Sequence, residues 1–339
     1  SIGALLGDRY LCYALVLRRK SGLASGKRFK RYKIMKICVT GGAGFIGSHL
    51  VDRLISEGHE VLVVDNLVSG LKSFVNEKAT FLEMDIRDEK LKDALADFGA
   101  EIVFHEAAQT MVPASMEDPA YDCDVNLMGL INVLNACRAT GVKKIITPSS
   151  AAVYGDLESL PLNETMTGQP SSFYGLTKKT MEDYLRLYHQ AFGLNYVCFR
   201  YSNVYGPRQG DGGEGGVISI FGRLAVENKP LTIYGDGEQT RDFVYVHDVV
   251  EANMKAMEHM DVTGVFNVST NHGSSVNDLV KAFNKASGKE FQVTYGPERA
   301  GDIRHSLLDN TKAKDILGFE AKVALEDGLV STYEYFVNR

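Results

Sequence analysis

The sequence predicts an α/β protein: a doubly wound parallel sheet with a smaller C-terminal α/β domain. Three observations carry this. Short, nearly all-apolar runs such as Ile37–Thr40 and Val61–Val64 recur through residues 35–206, and strands apolar on both faces belong to parallel sheets covered on both sides. Stretches with apolar residues at helical spacing separate them. A glycine-rich turn, Gly41 to Gly47, joins the first such run to the first such helix.

Taken in order, strand Ile37–Thr40 leads through that turn into His49–Glu57, where Leu50, Val51, Leu54 and Ile55 share a helix face. A second strand, Val61–Val64, ends at Asp65, and Ala79–Met84 and Glu101–His105 read as the third and fourth. Tyr121–Ala139 reads as a helix closed near Gly141, Lys144–Pro148 as the fifth strand, Tyr174–Phe192 as a helix and Asn195–Tyr201 as the sixth strand. After Gly206 the texture changes. Five of the eight residues Gln209–Gly216 are glycine, which reads as a loop. Ile218–Val226 is helix-like, and Phe243–Val246 and Asp248–Glu258 read as a strand and helix returning to the first domain. Val265–Val268, Val276–Ala286 and Phe291–Tyr295 are expected in a smaller mixed module with the tail. The predicted organisation is a basic extension over 1–34, a cofactor domain over 35–206 with return segment 242–262, and a second domain from 207–241 and 263–339.

Hydrophobic residues make up 45% and charged residues 24%, which excludes a disordered chain. Residues 1–34 carry net +8 of a total of −6, leaving −14 on the remainder. An acidic body argues against nucleic acid as partner. The five cysteines, Cys12, Cys38, Cys123, Cys137 and Cys198, have spacings that fit neither a disulfide framework nor a zinc site. They suit a reducing, cytoplasmic compartment, and no metal is expected. With no 18-residue apolar run, stable membrane insertion is not expected either. The short run Tyr10–Leu17 precedes Arg18, Arg19 and Lys20, the reverse of a signal peptide's order.

Gly41, Gly44 and Gly47 stand where a strand turns into a helix. Glycines there allow a tight turn and close approach of a pyrophosphate, which the first helical N–H groups then face. Asp65 ends the second strand, 24 residues after Gly41, the position for a carboxylate that accepts from ribose hydroxyls. Its charge would repel the extra phosphate of NADP, and Asn66 and Leu67 follow rather than arginine. The expected cofactor is therefore NAD, on a Rossmann-type domain. Asp85, after the third strand, is placed to meet the adenine edge or to be a solvated loop carboxylate.

Tyr174 and Lys178 lie four apart and so on one face of their helix. An ammonium beside a phenol favours the phenolate, making Tyr174 a candidate general base. Ser150, at the end of the fifth strand, can donate a hydrogen bond to the oxygen that Tyr174 deprotonates. No G-x-S-x-G elbow surrounds it, which argues against a hydrolase nucleophile. Arg241 and Arg299, near Gly235–Gly237 and Gly301, present planar forks suited to phosphate oxygens, or bridge domains.

From Met35 onward the chain resembles the extended short-chain dehydrogenase/reductases, specifically their nucleotide-sugar 4-epimerases. The motifs are Thr40-Gly-Gly-Ala-Gly-Phe-Ile-Gly47, Val64-Asp-Asn66, His105-Glu-Ala-Ala108, Ser149-Ser-Ala-Ala-Val-Tyr-Gly155, Tyr174-Gly-Leu-Thr-Lys178 and Arg200-Tyr-Ser-Asn-Val-Tyr-Gly-Pro207. On the substrate side, Tyr234-Gly-Asp-Gly-Glu-Gln-Thr-Arg-Asp-Phe243 and Arg299-Ala-Gly-Asp302 match. The resemblance implies tightly held NAD, contacted also by Phe45, Ile46, Asn66, Ile86, Ala107 and Lys178, and a UDP-hexose. It implies that Tyr174 takes the proton from the sugar O4 while hydride leaves C4, giving a 4-keto sugar that turns over before hydride returns. Ser150 would steady O4. Asn203, Arg241 and Arg299 would grip the diphosphate, with Asp302 near the uridine ribose. Ser306, four residues after Asp302, stands at a gate position. A small residue there implies room for UDP-GlcNAc and UDP-GalNAc besides UDP-glucose and UDP-galactose. Ala151 and Ala152 replace the Asp-Glu pair of related dehydratases. Two departures are Ser202, where Phe is frequent, and Met111 before Val112. The alternatives are a UDP-glucuronate 4-epimerase, another NAD-dependent nucleotide-sugar enzyme, or an NAD-binding protein without turnover. A homodimer through helices Tyr121–Ala139 and Tyr174–Phe192 is also implied.

Overall fold

A computed structural model describes residues 33–210, 215–298 and 303–339. Apolar runs and helical stretches alternate as the sequence predicts. β1 (Lys36–Thr40), α1 (Phe45–Ser56), β2 (Glu60–Asp65), β3 (Thr80–Glu83), α2 (Leu91–Phe98) and β4 (Ile102–His105) come first. They are followed by α3 (Val112–Glu117), α4 (Pro119–Cys123), a π-helical turn over Asp124–Met128, α5 (Gly129–Thr140), β5 (Lys144–Ser150), α6 (Phe173–Phe192) and β6 (Asn195–Tyr201). The remainder comprises β7 (Asn203–Tyr205), α7 (Val217–Val226), β8 (Leu231–Tyr234), β9 (Thr240–Arg241), β10 (Phe243–Tyr245) and α8 (Val246–Glu258). Last come β11 (Gly264–Val268), β12 (Ser274–Ser275), α9 (Val276–Ser287), β13 (Val293–Gly296), α10 (Thr311–Leu317) and α11 (Leu325–Val337).

The central sheet has seven strands in the order β11-β6-β5-β4-β1-β2-β3, all parallel. Strand alternation explains why its runs are apolar throughout. Ile37, Val39, Val61 and Val63 pack with Leu50, Val51 and Leu54 of α1 and Val249 and Ala252 of α8. Cys38, Leu62 and Val64 face the other way, against Leu91 and Leu95 of α2, Leu130 and Leu134 of α5, and Met181 and Leu185 of α6. A third core joins Phe221 of α7, Phe283 of α9 and Leu329 of α11 to β8 and β10.

Three expectations are corrected. Val265–Val268 was expected in the smaller module, but β11 pairs in parallel with β6 and completes the central sheet, with Phe266 opposite Phe199. Phe266 shares the core of Phe199 and Val268 is fully buried, so this apolar strand caps an otherwise open edge. Phe243–Tyr245 does not join that sheet; it pairs with Asn203–Tyr205 in a two-stranded ribbon. The helix after it, α8, does return to the first core. The helix expected over 121–139 is interrupted by the π-helical turn. The side chain of Asn126 in this turn accepts from the Gln109 N–H (2.8 Å) and donates to the Gln109 carbonyl (2.9 Å).

Candidate active site

In a parallel sheet of this kind, ligands bind beyond the carboxyl ends of the strands. A cleft of about 1000 Å³ lies there, lined from one side by the β1–α1 turn and the ends of β2 and β4, and from the other by β5, α6 and the segment after β6.

On the cofactor side, Gly41 has φ +71°, and a Cβ on it would stand 2.5 Å from the Ala107 nitrogen. A Cβ on Gly47 would stand 2.2 Å from the Gly41 carbonyl oxygen. These contacts are with backbone, so the turn closes this tightly only with glycine. Helix α1 begins at Phe45 with no side-chain cap and no acidic residue in its first turn, which suits its N–H groups to an anion. Asp65 is buried and accepts from the N–H groups of Ala43 (3.0 Å) and Leu67 (2.8 Å). Asn66 donates to Asp85 (2.9 Å), and Arg87 grips the same carboxylate through Nε and Nη2, both at 2.8 Å. Those guanidinium bonds hold Asp85 well below the ordinary carboxylate range. Gly44, Ile46, Asn66, Asp85, Ile86 and Ala107 all line the cleft with Asp65. A glycine turn, an uncapped helix start and a carboxylate at the end of β2 fit NAD.

Across the cleft, Ser150 ends β5, Tyr174 lies in the first turn of α6, and Lys178 is one turn on; all three line the same cavity. The Tyr174 N–H donates to Ser115 Oγ (3.1 Å), and Ser172 caps the helix by accepting from the Gly175 N–H (3.0 Å). Ser150 and Tyr174 line the cleft together, and the Ser150 side chain acts on the Tyr174 phenol. Here the structure corrects a predicted cause. Burial pushes Tyr174 up to about 12, the Ser150 hydroxyl pulls the other way, and the charge of Asp122 adds to the rise. Lys178 is not among the influences on Tyr174; its Nζ donates to the Pro148 carbonyl (3.0 Å) and stands 5.8 Å from the phenol ring centroid. Burial pulls Lys178 itself down, against the raising influence of Cys198, Glu106, Asp122 and Glu182.

Several site residues escaped the sequence reading. Asp122, fully buried, accepts from Thr177 Oγ1 (2.7 Å) and Gln109 Nε2 (2.7 Å), bracing α6 against α4 and the loop after β4. Glu106 lines the cleft, and burial raises its carboxyl to about 7, opposed by Lys178. Asp122 acts through partners distant in sequence, so no local pattern marks it.

The substrate residues divide. Asn203 lines the cleft, as do Met111, Val112 and Ser202. Arg241 and Ser306 lie outside its lining but beside each other's strand, both bound to Thr240: its carbonyl accepts from Arg241 Nη1 (2.9 Å) and from the Ser306 N–H (3.2 Å). Arg299 and Asp302 lie outside the described residues. Among the described residues, no helix is long and apolar enough to cross a membrane.

A seven-stranded parallel sheet, a glycine turn onto a helix, and a Tyr-x-x-x-Lys pair facing it define an NAD-dependent enzyme of the extended short-chain dehydrogenase/reductase class. Comparison then places it more narrowly. Residues 37–269 match the profile of the NAD dependent epimerase/dehydratase family, and the chain belongs to that family. It is 41% identical over 311 residues to a UDP-glucose 4-epimerase of Mycolicibacterium smegmatis, covering 90% of this chain and 99% of the relative. The crystal structure of the Thermotoga maritima UDP-glucose 4-epimerase with UDP-glucose superimposes with TM-score 0.85 at 45% identity, covering 89% of this chain and 98% of that one. The UDP-N-acetylglucosamine 4-epimerase of Methanobrevibacter ruminantium M1, in complex with UDP-N-acetylmuramic acid, gives TM-score 0.86 at 37% identity over 90% and 99% of the two chains. The chain is an isomerase of the epimerase type.

Proposed function

We propose that this protein inverts C4 of UDP-hexoses, taking UDP-GlcNAc and UDP-GalNAc as well as UDP-glucose and UDP-galactose. The observation that carries this is that Ser150 at the end of β5, Tyr174 and Lys178 line the same cleft as the glycine turn at Gly41–Gly47. Tyr174 takes the proton from the sugar O4 and gives it back; Ser150 bonds the same oxygen; Lys178 holds the helix face at Pro148 and carries positive charge beside the site. NAD, when bound, supplies the acceptor for the hydride from C4. Gly41, Gly44, Gly47 and Asp65 are the residues that would hold it. The sugar nucleotide would be gripped away from C4 by Asn203, Arg241, Arg299 and Asp302, leaving the oxidised hexose free to turn.

Ala151 and Ala152 offer no acid–base pair for water elimination, which favours epimerisation over dehydration. Among the described residues the cations lining the cleft are Lys178 and Arg208, and these are engaged by the Pro148 carbonyl and by Asp52 (2.8 Å). That arrangement favours a neutral hexose over a glucuronate. The N-acetyl reading is supported by the small Ser306 and by the structural neighbour that binds UDP-N-acetylmuramic acid. Met128, Leu176 and Leu187 are about half exposed on the helical face around α4–α6, in support of a homodimer through it. Four described cysteines are free, in keeping with a reducing cytoplasm.

Purified protein is incubated with NAD and UDP-GalNAc, then with UDP-galactose, and the product sugars are separated. Both pairs are expected to interconvert; the absence of any interconversion would refute the reading. In Ser306→Tyr the N-acetyl pair is expected to be lost before the plain hexoses, and equal losses would remove the gate argument.

A further inference from the structure

Behind the catalytic residues lies a buried polar group that the proposed chemistry does not use. The Glu182 carboxylate is nine-tenths buried and receives three donors. Ser149 Oγ reaches Oε1 at 2.6 Å, and Arg200 grips both oxygens, Nε to Oε1 at 2.9 Å and Nη2 to Oε2 at 2.7 Å. Each partner belongs to a different element of the site. Ser149 immediately precedes Ser150 on β5, and by strand alternation points away from it. Glu182 is one turn beyond Lys178 and two beyond Tyr174 on the same face of α6. Arg200 is the penultimate residue of β6, its guanidinium 4.7 Å from the centroid of the Tyr154 ring, whose hydroxyl donates to Asn267 of β11 at 2.8 Å.

We infer that Glu182 is a positioning residue: its carboxylate locks the strand that carries Ser150 to the helix that carries Tyr174 and Lys178. The phenol and the serine hydroxyl come from two separate elements, so their mutual placement depends on how β5 and α6 sit against each other. The Ser149–Glu182–Arg200 cluster sets that placement from behind. It also acts on Lys178, since Glu182 is among the anions that oppose the effect of burial there. The other titratable groups acting on Lys178 are Glu106 after β4, Asp122 of α4 and Cys198 of β6; His105, at the end of β4, also feels its charge.

The inference rests on the catalytic reading of Tyr174, and the test separates the two. Wild type, Tyr174→Phe, Glu182→Gln and Ser149→Ala are prepared with NAD and assayed with UDP-galactose, with melting temperatures measured alongside. In Glu182→Gln, kcat is expected to fall about 100-fold with KM within about twofold, the signature of displaced reacting groups rather than lost binding. Its alkaline limb should move to lower pH, because Lys178 loses an anion. Ser149→Ala leaves the ion pair with Arg200 intact, and its kcat is expected to fall about tenfold with little change in melting temperature. A crystal structure of Ser149→Ala, read without turnover, should show the Ser150 and Tyr174 hydroxyls further apart than in wild type. Wild-type kcat in folded Ser149→Ala, or that separation unchanged from wild type, would overturn the inference even if Glu182→Gln does not fold. A wild type that epimerises nothing would instead fail the functional reading, leaving the crystal structure to decide this one.

Discussion

Removing the Ser150 hydroxyl tests the phenol chemistry most directly. Tyr174 is pushed up to about 12 by burial, and Ser150 is the influence that works against that rise. A hydrogen bond to a charged group contributes about 1.5–3 kcal/mol, which at 1.36 kcal/mol per unit corresponds to about one to two pK units. In Ser150→Ala the phenolate therefore becomes harder to form, and the ascending limb of kcat against pH should move upward by about that amount. At a fixed pH on that limb, turnover falls about 10- to 100-fold. Ser150 Oγ also accepts from the Ala152 N–H at 3.2 Å, so part of any stability loss comes from this turn. Ser150→Thr keeps the hydroxyl and should retain most of the wild-type profile. The assay is steady-state epimerisation of UDP-galactose from pH 6 to 10, with NAD affinity measured separately and expected to be unchanged. An ascending limb at the wild-type position in Ser150→Ala would show that this hydroxyl does not set the ionisation of Tyr174.

Three further outcomes follow from the same geometry. In Gly47→Ala the new Cβ would stand 2.2 Å from the Gly41 carbonyl, so α1 and the turn must part by about 1 Å. Loss of a single phosphate bond would weaken NAD by at least about tenfold in calorimetry, and affinity within threefold of wild type would contradict this account of the turn. Asp65→Asn should cut the preference for NAD over NADP by about tenfold or more in competitive binding, with unchanged selectivity as the contrary result. His105 is buried, binds Thr40 Oγ1 through Nδ1 at 2.8 Å and is lowered to about 3, chiefly by burial. The unfolded imidazole protonates near pH 6.5 while the folded one stays neutral, so stability is lost as pH falls through 6.5, by about 2 kcal/mol at pH 5. Glu106, raised to about 7, runs the other way, so the readout is the difference in slope between wild type and His105→Asn in urea unfolding at pH 7 and pH 5. Equal slopes would refute the assignment to His105.

What the sequence made legible, and what it did not, follows from the range of the interactions involved. The turn at Gly41–Gly47 and the carboxylate of Asp65 are local: a strand end, a helix start and a charge at a fixed interval. The same holds for the face shared by Tyr174 and Lys178, which helical spacing dictates. The place of β11 is not legible because the four-residue run Val265–Val268 carries no information about its partner; Phe266 stands opposite Phe199 of β6, 67 positions apart. The cause of Tyr174's ionisation was misjudged for a related reason. Sharing a helix face guarantees proximity, but the direction of Lys178's ammonium is decided by the Pro148 carbonyl, a group contributed by another strand. Asp122 and Asn126 were invisible because their partners, Thr177 and Gln109, come from elements brought together only by the fold. Glu182 lies between these cases. Its phase on α6 could be read four residues after Lys178, yet its meaning depends on Ser149 and Arg200, each at the end of a different strand. Helical phase thus selects which side chains can reach the site, and the contacts across the sheet determine which of them act on it.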